Sequence, residues 1–151
     1  MATMAYSSGS AGRIERVIVR RIPLATLVAL VVGVAANAAL FLIGRATGAI
    51  GENVTVPNGQ VLGLAAVISM TVLPTLLGAI VYAIIGAIGR IRRPVTVFRI
   101  LALGVLLLSF WSPFTIVGAS AGLIVFLELM HIVAAAAIVW PLTTLAGRRE
   151  A

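Results

Sequence analysis

Residues 61–89 read VLGLAAVISMTVLPTLLGAIVYAIIGAIG, a run of about 29 positions without one charged side chain. As a helix rising 1.5 Å per residue it would reach ~43 Å, well beyond the ~30 Å hydrocarbon core of a bilayer. Such a segment is long enough to cross a membrane and must tilt, bend or protrude to fit. Pro74, in its middle, has no amide proton to offer the preceding turn, and it marks the expected kink.

Three more segments of the same character flank this one, at residues 22–43, 96–114 and 120–145. Residues 44–60 (GRATGAIGENVTVPNGQ) are broken by glycines, Pro57 and Asn58-Gly59, and read as a loop. Asn53-Val54-Thr55 matches a glycosylation sequon, a pattern common by chance. Arg90-Ile91-Arg92-Arg93-Pro94 reads as a tight basic turn, and a short connection through Gly118 joins the last two segments. The basic stretch before residue 22 and the Ala36-Asn37-Ala38 triplet imitate a cleavable leader. The apolar run there exceeds the ~7–15 residues of a leader core, so it reads as a first span. Residues 1–12 read as a disordered cytoplasmic tail, and residues 13–151 as one membrane domain.

Composition agrees. Hydrophobic residues make up 62% of the chain and charged residues 10%, with a mean hydropathy of +1.20. Soluble domains carry roughly 25% charged residues. The chain has no cysteine, which excludes disulfides, thiolate metal sites and thiol catalysis. Its net charge of +7 comes from arginines clustered at the ends of apolar runs, a pattern for lipid headgroups and not for a nucleic-acid groove.

Those arginines predict an orientation. Arg13, Arg16, Arg20 and Arg21 precede the first span. Arg90, Arg92, Arg93 and Arg99 lie between or just inside the second and third, and Arg148 and Arg149 follow the fourth. Only Arg45 falls on the other side. The positive-inside rule then places both termini and the 90–94 turn in the cytoplasm. The expected fold is an all-α, up-down-up-down four-helix bundle with both ends inside, in a bacterial inner membrane. Trp111 and Trp140 join the arginines as headgroup-level anchors, and Arg99 is expected to snorkel toward them. The stretch from Arg13 to Arg21 reads as one or two interfacial helical turns with Arg13, Arg16 and Arg20 on one face.

Polar groups inside the spans are few. Glu128 and His131 stand one helical turn apart, ~12 and ~17 Å below Ser120. Asn37 lies ~9 Å deep in the first span, and Ser69 and Thr71 lie ~12 and ~15 Å deep in the second. Ser109 sits in the same half of the third. Together these six residues form a predicted buried polar layer in the outer half. The reading favoured by the residues is a hydrogen-bonded cluster that fixes helix pairing, in a protein without catalytic activity that serves a homo-oligomer or a larger membrane complex. It calls for no cofactor, no metal and no partner beyond protein and an anionic bilayer. Two others stay open: a proton or ion site using Glu128 and His131, and His131 as a ligand to a tetrapyrrole or metal. A single Glu-x-x-His is half of a di-iron motif, and the chain has no aspartate to complete it. No nucleophile–base pair and no phosphate-binding glycine loop is present.

The chain resembles an uncharacterised family of small four-span bacterial membrane proteins, common in actinobacteria. The likeness covers roughly residues 21–146. It rests on the arginine turn followed by Phe98-Arg99-Ile100-Leu101-Ala102-Leu103, on Leu107-Leu108-Ser109, and on Leu127-Glu128-Leu129-Met130-His131. The resemblance implies a four-helix fold and brings no activity.

Overall fold

The computed structural model describes residues 14–56 and 59–150. Four helices dominate it: α1 (Ile22–Ala46), α2 (Leu64–Ala87), α3 (Pro94–Ser109) and α4 (Ala121–Leu145). Each is long and apolar enough to cross a membrane, α3 when taken with the turn that follows it. The chain is a multi-pass membrane protein. Its outward face carries large uncovered apolar side chains such as Leu73, Val105 and Leu108, a surface that suits acyl chains and not water. The predicted tail, with Arg13, lies outside the described residues.

Helix boundaries follow local chemistry. α1 starts with Pro23 in its first turn and runs three residues beyond the expected Ile43. Arg45 suits the negative end of the helix dipole and does not stop it. The stop comes at Gly48, whose φ of 74° is open to glycine, while the Thr47 hydroxyl donates to the carbonyls of Ile43 and Gly44. α2 begins three residues later than expected because Val61 and Leu62 pair back onto Thr55 and Val54 in a small hairpin. It stays helical through Pro74. α3 is shorter than expected, ending at Ser109 before a 3₁₀ turn at Ser112–Thr115. α4 begins at an N-cap, Ser120, whose hydroxyl accepts from the Leu123 amide at 3.1 Å.

One expectation fails. The segment after Arg13 is not an interfacial helix. Ile14–Val17 forms a strand, β1, that pairs antiparallel with Gly147–Glu150, β2, and a 3₁₀ turn at Val19–Arg21 leads into α1. The β-branched run Ile14, Val17, Ile18 and Val19 favours extended backbone, and a strand partner is available at the other terminus. The four-helix bundle therefore carries a two-stranded clasp across its ends.

The clasp also defines the polarity of the molecule. Ile14 faces Glu150 across the ladder, and the Glu15 amide donates to the Arg92 carbonyl at 3.1 Å. Both ends of the described chain and the 90–93 turn thus share one end of the bundle, here the arginine end. The hairpin of residues 54–62 and the 110–120 connection occupy the far end. There Arg45 faces Glu52 at 3.5 Å, so the one arginine at the far end is offset by an acid.

Two apolar clusters fill the bundle. One surrounds Tyr82, Phe98 and Leu142 at the arginine end, and the other surrounds Phe41, Ile50 and Met130 at the far end. Between them α1, α2 and α4 meet over small residues. A Cβ on Gly33 would lie 3.3 Å from both Ala137 Cβ and Thr71 Cγ2.

Candidate functional site

The predicted polar layer lies between that waist and the far-end cluster, and the structure divides it. Asn37 on α1 and Thr71 on α2 meet directly: the Asn37 Nδ2 donates to Thr71 Oγ1 at 3.0 Å, and both residues are buried, Asn37 at 3% exposure. Thr71 in turn donates to the Val67 carbonyl at 2.8 Å. The hydroxyl thus donates once and accepts once, but the Asn37 Oδ1 is buried with no partner.

His131 on α4 completes this side. Its Nδ1 lies 2.7 Å from the Leu127 carbonyl. A carbonyl only accepts, so Nδ1 is the donor in this contact. Asn37, Thr71 and His131 line a cavity of about 90 Å³ closed by Met70, Met130 and Ala134. The unpartnered Asn37 Oδ1 on this small cavity suits a group that donates a hydrogen bond, and the space holds a few waters. Its volume falls short of the ~300 Å³ at which pockets for organic ligands begin.

Glu128 does not join them. Both its carboxylate oxygens are buried without a hydrogen-bond partner, and it does not line the cavity. A three-residue step rotates the side chain about 60° around the helix axis, enough to send Glu128 and His131 to different flanks of α4. Among the described residues no hydrogen bond or ion pair links the two, and no group of three His, Cys, Asp or Glu could hold a metal ion. Ser69 and Ser109 also stand apart. Ser69 is exposed and bonds the Ala66 carbonyl at 3.0 Å, and Ser109 bonds that of Leu106 at 2.7 Å. Short hydroxyl side chains on a helix reach their own preceding turn more readily than a neighbouring helix.

A second polar group, at the arginine end, is not apparent from the sequence. Glu15 of β1 is buried at 8% exposure, and its carboxylate accepts from the Thr96 amide at 2.9 Å and the Thr96 hydroxyl at 3.0 Å. Thr96 is the third residue of α3, so a strand 81 positions away caps that helix and meets its positive dipole end. Arg99, expected to snorkel, donates from Nη2 to Thr143 Oγ1 at 3.0 Å and ties α3 to α4. Tyr82, fully buried, packs on Phe98 with ring centroids 4.8 Å apart. The only sequence signal was Glu15 itself, a single acid among arginines in a β-branched stretch.

The anchors fall at the bundle ends. Arg16, Arg20, Arg21, Arg90, Arg92, Arg93 and Arg148 are exposed at the arginine end, with Trp140 uncovered beside them and Trp111 uncovered at the far end. The side chain of Arg149 lies outside the described residues.

No curated protein and no solved structure matches this chain. A family does, over residues 17–148, the span expected from the arginine turn and the Met130-His131 segment. The chain belongs to DUF6069, a family of unknown function.

Proposed function

We propose that the chain is a non-catalytic, four-span unit of a larger membrane assembly, a homo-oligomer or a complex in which it is an accessory subunit. The observation that carries this reading is how the polar side chains at the level of the spans use their hydrogen bonds. Ser69, Thr71, Thr75, Ser109 and His131 each bond their own helix, and Asn37 bonds Thr71. Only the Asn37–Thr71 contact joins two helices, and among the described residues these groups form no nucleophile–base or metal constellation. α3 supports the assembly reading. Ile100 and Leu108 stand well uncovered, Leu108 at 79%, on either side of Gly104, around which there is open space for another backbone. The arginine end faces the cytoplasm of a bacterial cell, in keeping with the positive-inside rule.

Excision of the protein from its own membrane in a polymer-bounded disc is the test. A protein mass above the 15.6 kDa of one chain is expected. Discs holding a single copy and no other protein overturn the proposal.

One observation favours a second reading, a proton- or ion-coupled component. The two unpartnered oxygens of Glu128 are an ionisable group within a membrane-crossing helix, where such groups usually have a use. Proton flux in liposomes, abolished by Glu128→Gln, supports it; flux unchanged by that substitution removes it.

A further inference from the structure

A large concavity lies at the arginine end. A groove of about 670 Å³ runs between β1, the end of α2 and the turn into α3. One bank carries Arg92 and Arg93, both exposed, and the other carries Arg16 from β1. Ile14, Ile88 and Ile91 supply apolar wall between them, and the floor includes Gly89, above which a Cβ would meet nothing within 4 Å.

Three features make this a built site instead of a general cloud of charge. First, Glu15 belongs to the same wall but is buried, with its carboxylate bonded to the start of α3, so its charge is already engaged there while Arg92 and Arg93 are exposed. Second, the banks are held in place. β1 is bonded to the Arg92 carbonyl through the Glu15 amide, and Val17 seats against Gly86 so closely that a Cβ there would lie 2.6 Å from it. Third, the apolar wall continues into the membrane. Ile80 and Ile84 of α2 and Ile88 at its C-cap are spaced four apart and all exposed, a line from the lipid-facing surface to the groove wall, which Ile88 lines.

A ligand that satisfies both walls has an anionic phosphate at one end and a hydrocarbon chain at the other. We propose that this groove is a discrete binding site for one anionic phospholipid, with the phosphate held by Arg92 and Arg93 facing Arg16 and an acyl chain laid along the Ile80–Ile84–Ile88 ridge. A free phosphate shares the headgroup chemistry and leaves the ridge unused. The site stands independently of whether the chain has protein partners.

Native mass spectrometry of the full chain, released from nanodiscs of equal phosphatidylglycerol and phosphatidylcholine, tests it. One phosphatidylglycerol per chain is expected to remain bound, preferred over phosphatidylcholine by about tenfold or more, since the choline cation offsets the phosphate of the latter and each arginine near a net anionic headgroup adds about fivefold. Arg92→Gln with Arg93→Gln is expected to weaken retention about 30-fold on the same basis. Arg90 lies in the same turn but does not line the groove, so Arg90→Gln should retain the lipid. Equal loss with Arg90→Gln, or no preference in the unmodified chain, overturns the discrete site. Inorganic phosphate that displaces the lipid at matched concentration overturns the lipid assignment.

Discussion

At the residue scale, Asn37 and Glu15 show how differently two buried polar groups can behave. Asn37 bonds Thr71 with its amide nitrogen and leaves its oxygen unpartnered, so the contact that it brings is partly offset by desolvation of that oxygen. An interhelical contact of this kind contributes ~0.6 kcal/mol. Asn37→Leu is therefore expected to shift thermal unfolding in detergent only slightly; a collapse of the fold would show that the cavity side matters more than its bonds. Glu15 is the opposite case. Its carboxylate satisfies the Thr96 amide and hydroxyl together at the positive end of α3. Glu15→Ala leaves that amide without its cap and is expected to destabilise by about 1 kcal/mol, visible as a lower midpoint in the same assay. Neither role can be read from residue type, because an asparagine in a span and a glutamate among arginines both look like generic polar positions until their partners are known.

At the scale of elements, packing between helices depends on where side chains are missing. The waist at Gly33 is tight, since a Cβ there would lie 3.3 Å from Ala137 and Thr71, which would have to give by a few tenths of an ångström. Gly33→Val is expected to separate α1 from α4 and lower stability by about 1–3 kcal/mol through overpacking. The clasp has a similar point at Gly147, where a Cβ would run into the Thr143 carbonyl and come within 3.0 Å of the Tyr82 hydroxyl. Gly147→Ala should free β1 from β2. Amide hydrogen exchange at Val17 and Ile18 checks this: faster exchange there, with α1 to α4 still protected, is the expected pattern. Unchanged exchange would mean that β1 is held by the Arg92 and Ala146 carbonyls alone. The helices themselves were legible in the chain because each is a long, predominantly apolar run. The clasp was not, since β2 is Gly-Arg-Arg-Glu and carries no strand signal of its own.

At the scale of the whole molecule, the arginine end carries most of the chain's arginines, while at the far end Arg45 is offset by Glu52. Orientation is expected to follow from that difference. The cysteine-free sequence makes a clean test: a single cysteine at Gly118 should react with an impermeant maleimide added to intact cells, and one at Arg20 should not. The reverse result would invert the orientation. What the chain decides by itself is the number of spans, their rough limits and this charge asymmetry. These properties depend on the transfer of each residue from water to lipid, a quantity that accumulates locally along the chain. What only the tertiary structure decides is which polar side chains meet. Six residues lie at similar depths, yet only Asn37, Thr71 and His131 share a cavity. Depth follows from position in the sequence, but direction follows from the rotation of each helix against its neighbours. The same holds for Glu15 and Thr96, and for Ile14 and Glu150, brought together from distant parts of the chain by four helices that return to one end.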